Sequence, residues 1–296
     1  MADEQQTGNQ SDSRRAAAGY HMGSVDTVIS VEDVNRQAKE FAREVPLETI
    51  AGLCDGEPFV EIKDLVAGYG KMEILHNVNL QVGKGQSLCL IGPNGAGKST
   101  ILHSIYGFTN IFSGNIYVGQ GADRRDVTGL GPNEKLKSAG IAYILQDKSV
   151  FPDMTVEENL WMGGFLMDKP AQAREAAEKV FAKYDRLAKR RTHQAKVLSG
   201  GERRLLEISR ALVMQPDVLL VDEPSIGLEP RFIDMVFEIL DDLQRNEGKT
   251  IVMVEQNAKR GLEFADLGYV LVSGETAIAG TGDELLQNED FGRVFL

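Results

Sequence analysis

From about residue 59 onward, short apolar runs recur along the chain. Ser87-Leu88-Cys89-Leu90-Ile91, Ile141-Ala142-Tyr143-Ile144-Leu145, Val218-Leu219-Leu220-Val221 and Thr250-Ile251-Val252-Met253-Val254 are almost without polar interruption. Such runs predict strands buried on both faces, as in a parallel sheet. Phe59-Val60-Glu61-Ile62 and Ile74 to Leu80 alternate instead, and with the turn at Gly83-Lys84-Gly85 they predict an antiparallel sheet flanking the parallel one. Between Gln146 and Leu198 the period becomes helical. Thr155 with Glu158 forms a capping box, and Pro170 is placed to open a helix carrying Ala177, Val180, Phe181 and Tyr184, with Glu175 and Lys179 as an exposed pair. A further amphipathic helix follows Ser199-Gly200-Gly201-Glu202, with Leu206, Ile208, Ala211 and Leu212 on its apolar face. Upstream, residues 1–25 are rich in Gly, Ser, Gln, Asp and Arg and predict a disordered tail. Val31, Val34, Ala38, Phe41 and Val45 then predict a short amphipathic helix that Pro46 ends, within an extension over 26–57. The expected organisation is therefore an α/β domain over 58–296 with a helical subdomain at about 148–212.

Charge and composition narrow the function classes. Of 296 residues, 32 are Lys or Arg and 44 are Asp or Glu, a net charge of −12, which argues against a basic field for non-specific nucleic-acid binding. No stretch approaches the roughly 20 apolar residues that span a bilayer. Met1-Ala2-Asp3-Glu4 lacks the basic start of a secretory signal, so a cytoplasmic location is expected. Cys54 and Cys89 fit a reducing compartment, Cys89 as a small core residue. The four histidines, at 21, 76, 103 and 193, show no metal-ligand spacing and receive no chemistry.

The chemistry lies at the ends of the apolar runs. Gly92-Pro93-Asn94-Gly95-Ala96-Gly97-Lys98-Ser99-Thr100 fits G-x-x-x-x-G-K-[ST] directly after a strand, which is the setting of a phosphate cradle. Its backbone N–H groups and the helix from Lys98 face an anion, Lys98 adds charge to the β- and γ-phosphates, and Ser99 is placed to ligate Mg²⁺. Ser199-Gly200-Gly201 opens a second anion-binding helix end. Asp222-Glu223-Pro224 closes a buried strand, where two carboxylates are costly unless they meet a metal or a reacting group.

With these motifs in this order, the chain resembles the ATPase subunit of ABC transporters from about Phe59 to its C-terminus. The resemblance implies a P-loop ABC ATPase fold with a mixed nucleotide-binding core, an antiparallel β subdomain and a helical signature subdomain. It further implies that Tyr69 stacks on adenine, that Gln146 touches Mg²⁺ or the attacking water, that Asp222 holds Mg²⁺ and that Glu223 is the general base. Ser199, Gly200 and Gly201 would contact the γ-phosphate held by an opposite subunit, so one chain cannot complete its own site. Two departures stand out: Glu229, where the family commonly has Asp in the segment Ser225 to Glu229, and Gln256, where many members have a histidine. Gln256 can donate a hydrogen bond but carries no charge, so an orienting role is expected for it.

Glu255-Gln256-Asn257, Phe151 to Leu160 and Met162-Gly163-Gly164-Phe165 are similar to one branch, the smaller ATPase subunit of branched-chain amino acid, urea or short-chain amide importers. That branch implies ATP and Mg²⁺ as ligands and two multi-span permease subunits as partners. A second ATPase completes the pair, as a heterodimer or, alternatively, a homodimer, and a solute-binding protein acts indirectly. The chain would sit peripherally on the inner face of the plasma membrane. The helical face near Phe151 to Phe165 would receive the permease, with Trp161 and Phe165 either as anchors or as helix-core packing. The alternatives are the lipopolysaccharide-export ATPase, whose signature also reads Ser-Gly-Gly-Glu-Arg-Arg, and a soluble non-transport ABC ATPase.

Overall fold

Two sheets share the strands of the structure, a computed structural model that describes residues 52–54, 56–146 and 149–295. The tail before residue 26 and the amphipathic helix expected before Pro46 lie outside the described residues. β1 (Val60–Tyr69), β2 (Met72–Val82), β4 (Asn110–Val118) and the short β5 (Arg125–Asp126) form an antiparallel sheet in the order β2-β1-β4-β5. The second sheet runs β10-β9-β3-β8-β7-β6, from β3 (Ser87–Ile91), β6 (Ile141–Ile144), β7 (Val218–Asp222), β8 (Thr250–Val254), β9 (Leu267–Val272) and β10 (Glu275–Thr281). Only β9 and β10 pair antiparallel there, so the fold is the expected mixed α/β architecture.

The unbroken apolar runs pack on two sides at once. Leu88 and Leu90 of β3 join the cluster that holds Val60, Ile62, Leu75 and Leu80 of the antiparallel sheet and Ile101, Leu102 and Ile105 of helix α1 (Lys98–Tyr106). Cys89 and Ile91 point the other way, into a cluster with Val221, Met253 and Phe237. Alternate residues of a strand face opposite sides, so a strand covered on both must be apolar throughout. Cys89 is indeed a fully buried core residue, and burial pushes its thiol up.

A third cluster is helical. It joins α3 (Val156–Gly163), α4 (Pro170–Lys183) and α5 (Asp185–Ala188) through Leu160, Ala177, Val180, Phe181 and Leu187 to Leu205 and Leu206 of α6 (Gly200–Leu212). Helix α6 also sends Ile208 into the second cluster, so it belongs to both. Its buried Arg204 pairs with Glu207 at 2.9 Å and donates to the Leu145 carbonyl at 2.7 Å, which ties the helix to the residue before Gln146. The capping box at Thr155 and Glu158 forms as expected, and so does the exposed Glu175–Lys179 pair, at 3.4 Å.

One buried charge was not foreseen. Lys135, in helix α2 (Pro132–Lys137), has no exposed surface and donates to the Ser104 carbonyl at 3.2 Å, in the last turn of α1. Burial lowers its pKa from 10.5 to about 8, against the opposing pull of Asp126. Between these values the unfolded chain keeps a proton that the folded chain has lost, so stability rises as pH climbs from about 8 to 10.5 and is lost again as pH falls through 8. Lys135→Met is expected to remove that dependence, at most ~3 kcal/mol on ~1.4 kcal/mol per unit. Urea midpoints of both proteins at pH 7.5, 9 and 10 check it, and parallel pH curves would contradict it.

Candidate functional site

β3, with β9 on one side and β8 on the other, delivers the chain into the loop at Gly92. Gly92 takes φ +141°, and a Cβ there would lie 2.2 Å from the Leu271 carbonyl oxygen, so only glycine lets the loop pass this close to β9. The loop is braced from the neighbouring strand β9. The Gly274 N–H, in the turn between β9 and β10, donates to the Ala96 carbonyl at 2.9 Å, and the Gly274 carbonyl accepts from His76 N–H of β2 at 2.8 Å. Helix α1 then begins at Lys98 with Gly97 as its cap. Lys98 curls over the loop, its Nζ donating to the carbonyls of Gly92 at 2.8 Å and Pro93 at 3.0 Å. Burial lowers its pKa, and the nearby Glu223 and Asp222 oppose that shift.

Asp222, the last residue of β7, is 6% exposed and has both oxygens engaged. Ser99 Oγ donates to Oδ1 at 3.1 Å and the Tyr143 hydroxyl donates to Oδ2 at 2.8 Å. Glu223 follows at φ +43°, a conformation that costs a non-glycine residue about 1 kcal/mol or more. Its N–H is anchored on the Val254 carbonyl of β8 at 2.9 Å, which turns the side chain out of the strand end. There Gln146 Nε2 donates to Oε2 at 2.7 Å, and Gln256 Nε2 lies 3.2 Å from each carboxylate oxygen. The strand order β3-β8-β7-β6 thus places Lys98, Gln256, Asp222 with Glu223, and Gln146 after the carboxyl ends of four adjacent parallel strands, the usual location of ligands in such sheets.

Tyr69 ends β1 and is 44% exposed. Its hydroxyl meets His103 Nδ1 at 2.5 Å, and burial lowers the His103 pKa against the opposing pull of Asp222. The sequence assigned no chemistry to this histidine, and no local motif marks it. Only the fold brings α1 beside the end of β1.

Ser199, Gly200 and Gly201 open helix α6, and Gly200 lines a cavity together with Gln146. Ser199 caps α6 through the Glu202 N–H at 3.3 Å, while Glu202 accepts from the Ser199 N–H at 3.0 Å. A Cβ on Gly201 would fall 2.1 Å from the Phe232 ring, in helix α7 (Pro230–Arg245), and one on Gly200 would meet Leu228 at 3.7 Å. Glycine at 201 is thus required by the close approach of Phe232. Glu229 caps α7 and pairs with Arg231 at 3.0 Å, both exposed. Trp161 packs on the helical cluster with the Arg174 guanidinium 4.9 Å above its ring, whereas Phe165 is 75% exposed beside Phe151 and Met162.

Among the described residues, no group of three or more His, Cys, Asp and Glu could hold a metal ion. The paired Ser99 hydroxyl and Asp222 carboxylate, with Gln146 nearby, nonetheless form an all-oxygen donor set that suits Mg²⁺ shared with phosphate oxygens. No helix of the described residues is long and apolar enough to cross a membrane.

Comparison with known proteins places the chain in a family. Residues 75–226 match the family described as ABC transporter. The chain is 43% identical over 229 residues to the high-affinity branched-chain amino acid transport ATP-binding protein BraG of Pseudomonas aeruginosa, covering 77% of this chain and 95% of that one. The probable branched-chain amino acid transport ATP-binding protein LivF of Archaeoglobus fulgidus is 39% identical over 233 residues, 78% and 95% of the two chains. The lipopolysaccharide export system ATP-binding protein LptB of Haemophilus influenzae is 32% identical over 237 residues, 79% and 95%. Among solved structures, a nucleotide-free ATP-binding cassette from an ABC transporter superposes with TM-score 0.70 at 27% identity, over 81% of this chain and 99% of that one. A dimeric, post-hydrolysis cassette bound to ADP and Pi gives 0.63 at 25%, over 75% and 98%.

Proposed function

The chain belongs to the ABC transporter ATP-binding family and is an ATPase of that kind. From that membership we propose that it powers an importer for branched-chain amino acids or related small solutes, by closing with a second ATPase subunit around two nucleotides. The observation that carries the proposal is the Glu223 carboxylate, held between the amides of Gln146 and Gln256 at 2.7 and 3.2 Å, one residue after Asp222.

In this reading Gly92 to Thr100 wraps the phosphates of ATP, Tyr69 stacks on the adenine and Lys98 leaves the loop carbonyls to meet the β- and γ-phosphates. Ser99, Asp222 and Gln146 would hold Mg²⁺, which when bound neutralises charge on the transferring phosphoryl group. Glu223 accepts a proton from the attacking water, while Gln146 and Gln256 fix the orientation of its carboxylate. Ser199, Gly200 and Gly201 offer the N-terminal end of α6 to the γ-phosphate of the opposing subunit. Hydrolysis removes the phosphate that bridges the pair, and the subunits reopen.

The ATPase domain spans 58–296, with its helical subdomain at about 148–212. The groove of about 300 Å³ at Phe151, Met162, Phe165 and Arg210 is the surface for two multi-span permease subunits. The chain accordingly sits on the inner membrane face, paired with a non-identical ATPase and served by a solute-binding protein. The higher identity to BraG and LivF than to LptB favours this branch over lipopolysaccharide export. Affinity capture of the chain from detergent-solubilised native membranes, with mass spectrometry of its companions, tests the proposal. Two permeases and a second ATPase are expected. Recovery of self-dimers alone, or of ribosomal proteins, would overturn the transport reading.

A further inference from the structure

We propose that Tyr143 is a positioning residue for the metal site: its hydroxyl pins one oxygen of Asp222 so that the other is left to serve the divalent cation. The inference rests on the assignment of Asp222 as the metal-binding acid. In the structure the two oxygens have different donors, Ser99 on Oδ1 and Tyr143 on Oδ2, at 3.1 and 2.8 Å. Ser99 is itself a metal ligand in this reading, so its hydroxyl is shared between Asp222 and the cation. The bond from Tyr143 has no such competitor.

Three features make Tyr143 a rigid donor. It lies on β6 opposite Leu220 of β7, two residues before Asp222, so the sheet register fixes the distance from one backbone to the other. Its ring is wedged among His103, Tyr106 and Phe108, with centroids 5.7, 5.5 and 6.0 Å away. The carboxylate oxygen it faces can only accept, so the phenol is the donor in this bond. A carboxylate turns freely about its last bond unless both ends are held. A neutral donor on one oxygen sets the carboxylate plane without adding charge that would oppose a cation.

The test uses the full chain with a non-hydrolysable ATP analogue and Mn²⁺ as probe, read by electron paramagnetic resonance. Tyr143→Phe removes the hydroxyl and keeps the ring. It is expected to raise the Mn²⁺ concentration for half-saturation roughly 3- to 10-fold, the range for one hydrogen bond, and to broaden the Mn²⁺ spectrum. Analogue affinity in EDTA should not change. Phe108→Leu, which loosens the same cluster but keeps the hydroxyl, should leave Mn²⁺ binding as it is. Equal Mn²⁺ affinity in Tyr143→Phe and wild type overturns the inference, and so does an equal shift in Phe108→Leu, which would make the effect one of packing. Asp222→Asn separates the two levels: if it weakens Mn²⁺ while Tyr143→Phe does not, only the positioning role falls. If Asp222→Asn also binds Mn²⁺ normally, the metal assignment falls with it.

Discussion

Glu223→Gln is expected to lower ATP turnover by roughly 10²- to 10⁴-fold, the size of a general-base contribution, while nucleotide still binds. The substitution is nearly isosteric and leaves the backbone at φ +43° under the same Val254 anchor, so no fold change is needed to explain a loss. What disappears is a carboxylate able to take a proton, together with one acceptor for the two amides that converge on it from Gln146 and Gln256. With hydrolysis blocked and binding intact, the ATP-bound pair should accumulate. Single-turnover phosphate release and size-exclusion chromatography with ATP measure both effects. Turnover within threefold of wild type and no added dimer would remove Glu223 from the base role. Gln256→Ala takes away one donor and no acid–base group, so it should reduce turnover by less and leave ATP affinity nearly unchanged.

Lys98→Ala acts at the earlier step, binding itself. Lys98 is 7% exposed and its ammonium is satisfied by the carbonyls of Gly92 and Pro93, so the loop already accommodates a cation at the place where phosphates would lie. Exchanging neutral carbonyls for phosphate oxygens converts ordinary hydrogen bonds into charge-assisted ones. At about 1.5–3 kcal/mol for such a bond, alanine should weaken ATP roughly 10- to 150-fold. Asp222 and Glu223 would also lose a counter-charge, the interaction that raises the Lys98 pKa against burial. Calorimetry with ATP in EDTA isolates this step from metal binding. An unchanged Kd would rule out the loop as the cradle.

Sequence reading reached the elements whose residues act through their neighbours in the chain. The loop after Ile91, the acids after Val221 and the glycine-opened helix at Ser199 are each a strand end or helix start with its chemistry attached, and the structure forms each where expected. It did not reach contacts made across the fold. Tyr143 and Asp222 are 79 residues apart, and Tyr69 and His103 are 34 apart, so no spacing rule connects them. Lys135 reads as an ordinary helix-surface lysine until Ser104 and Gly107 close over it. The brace at Gly274 is a turn between two plain strands, visible only once β9 lies against β3.

That last pairing sets a timetable for biosynthesis. β3 is fully buried, yet its two neighbours are β8, which begins at Thr250, and β9, which begins at Leu267. At about 5–20 residues per second, a ribosome needs roughly 8–30 s to make the chain between the end of β3 and the start of β8. Throughout that interval Leu88, Cys89, Leu90 and Ile91 lack both partner strands, a sticky stretch in need of shelter. A message cut short after Gln256 would encode every residue assigned to ATP and still yield no cradle, because the strand that crowds Gly92 and the turn that braces Ala96 are translated afterwards.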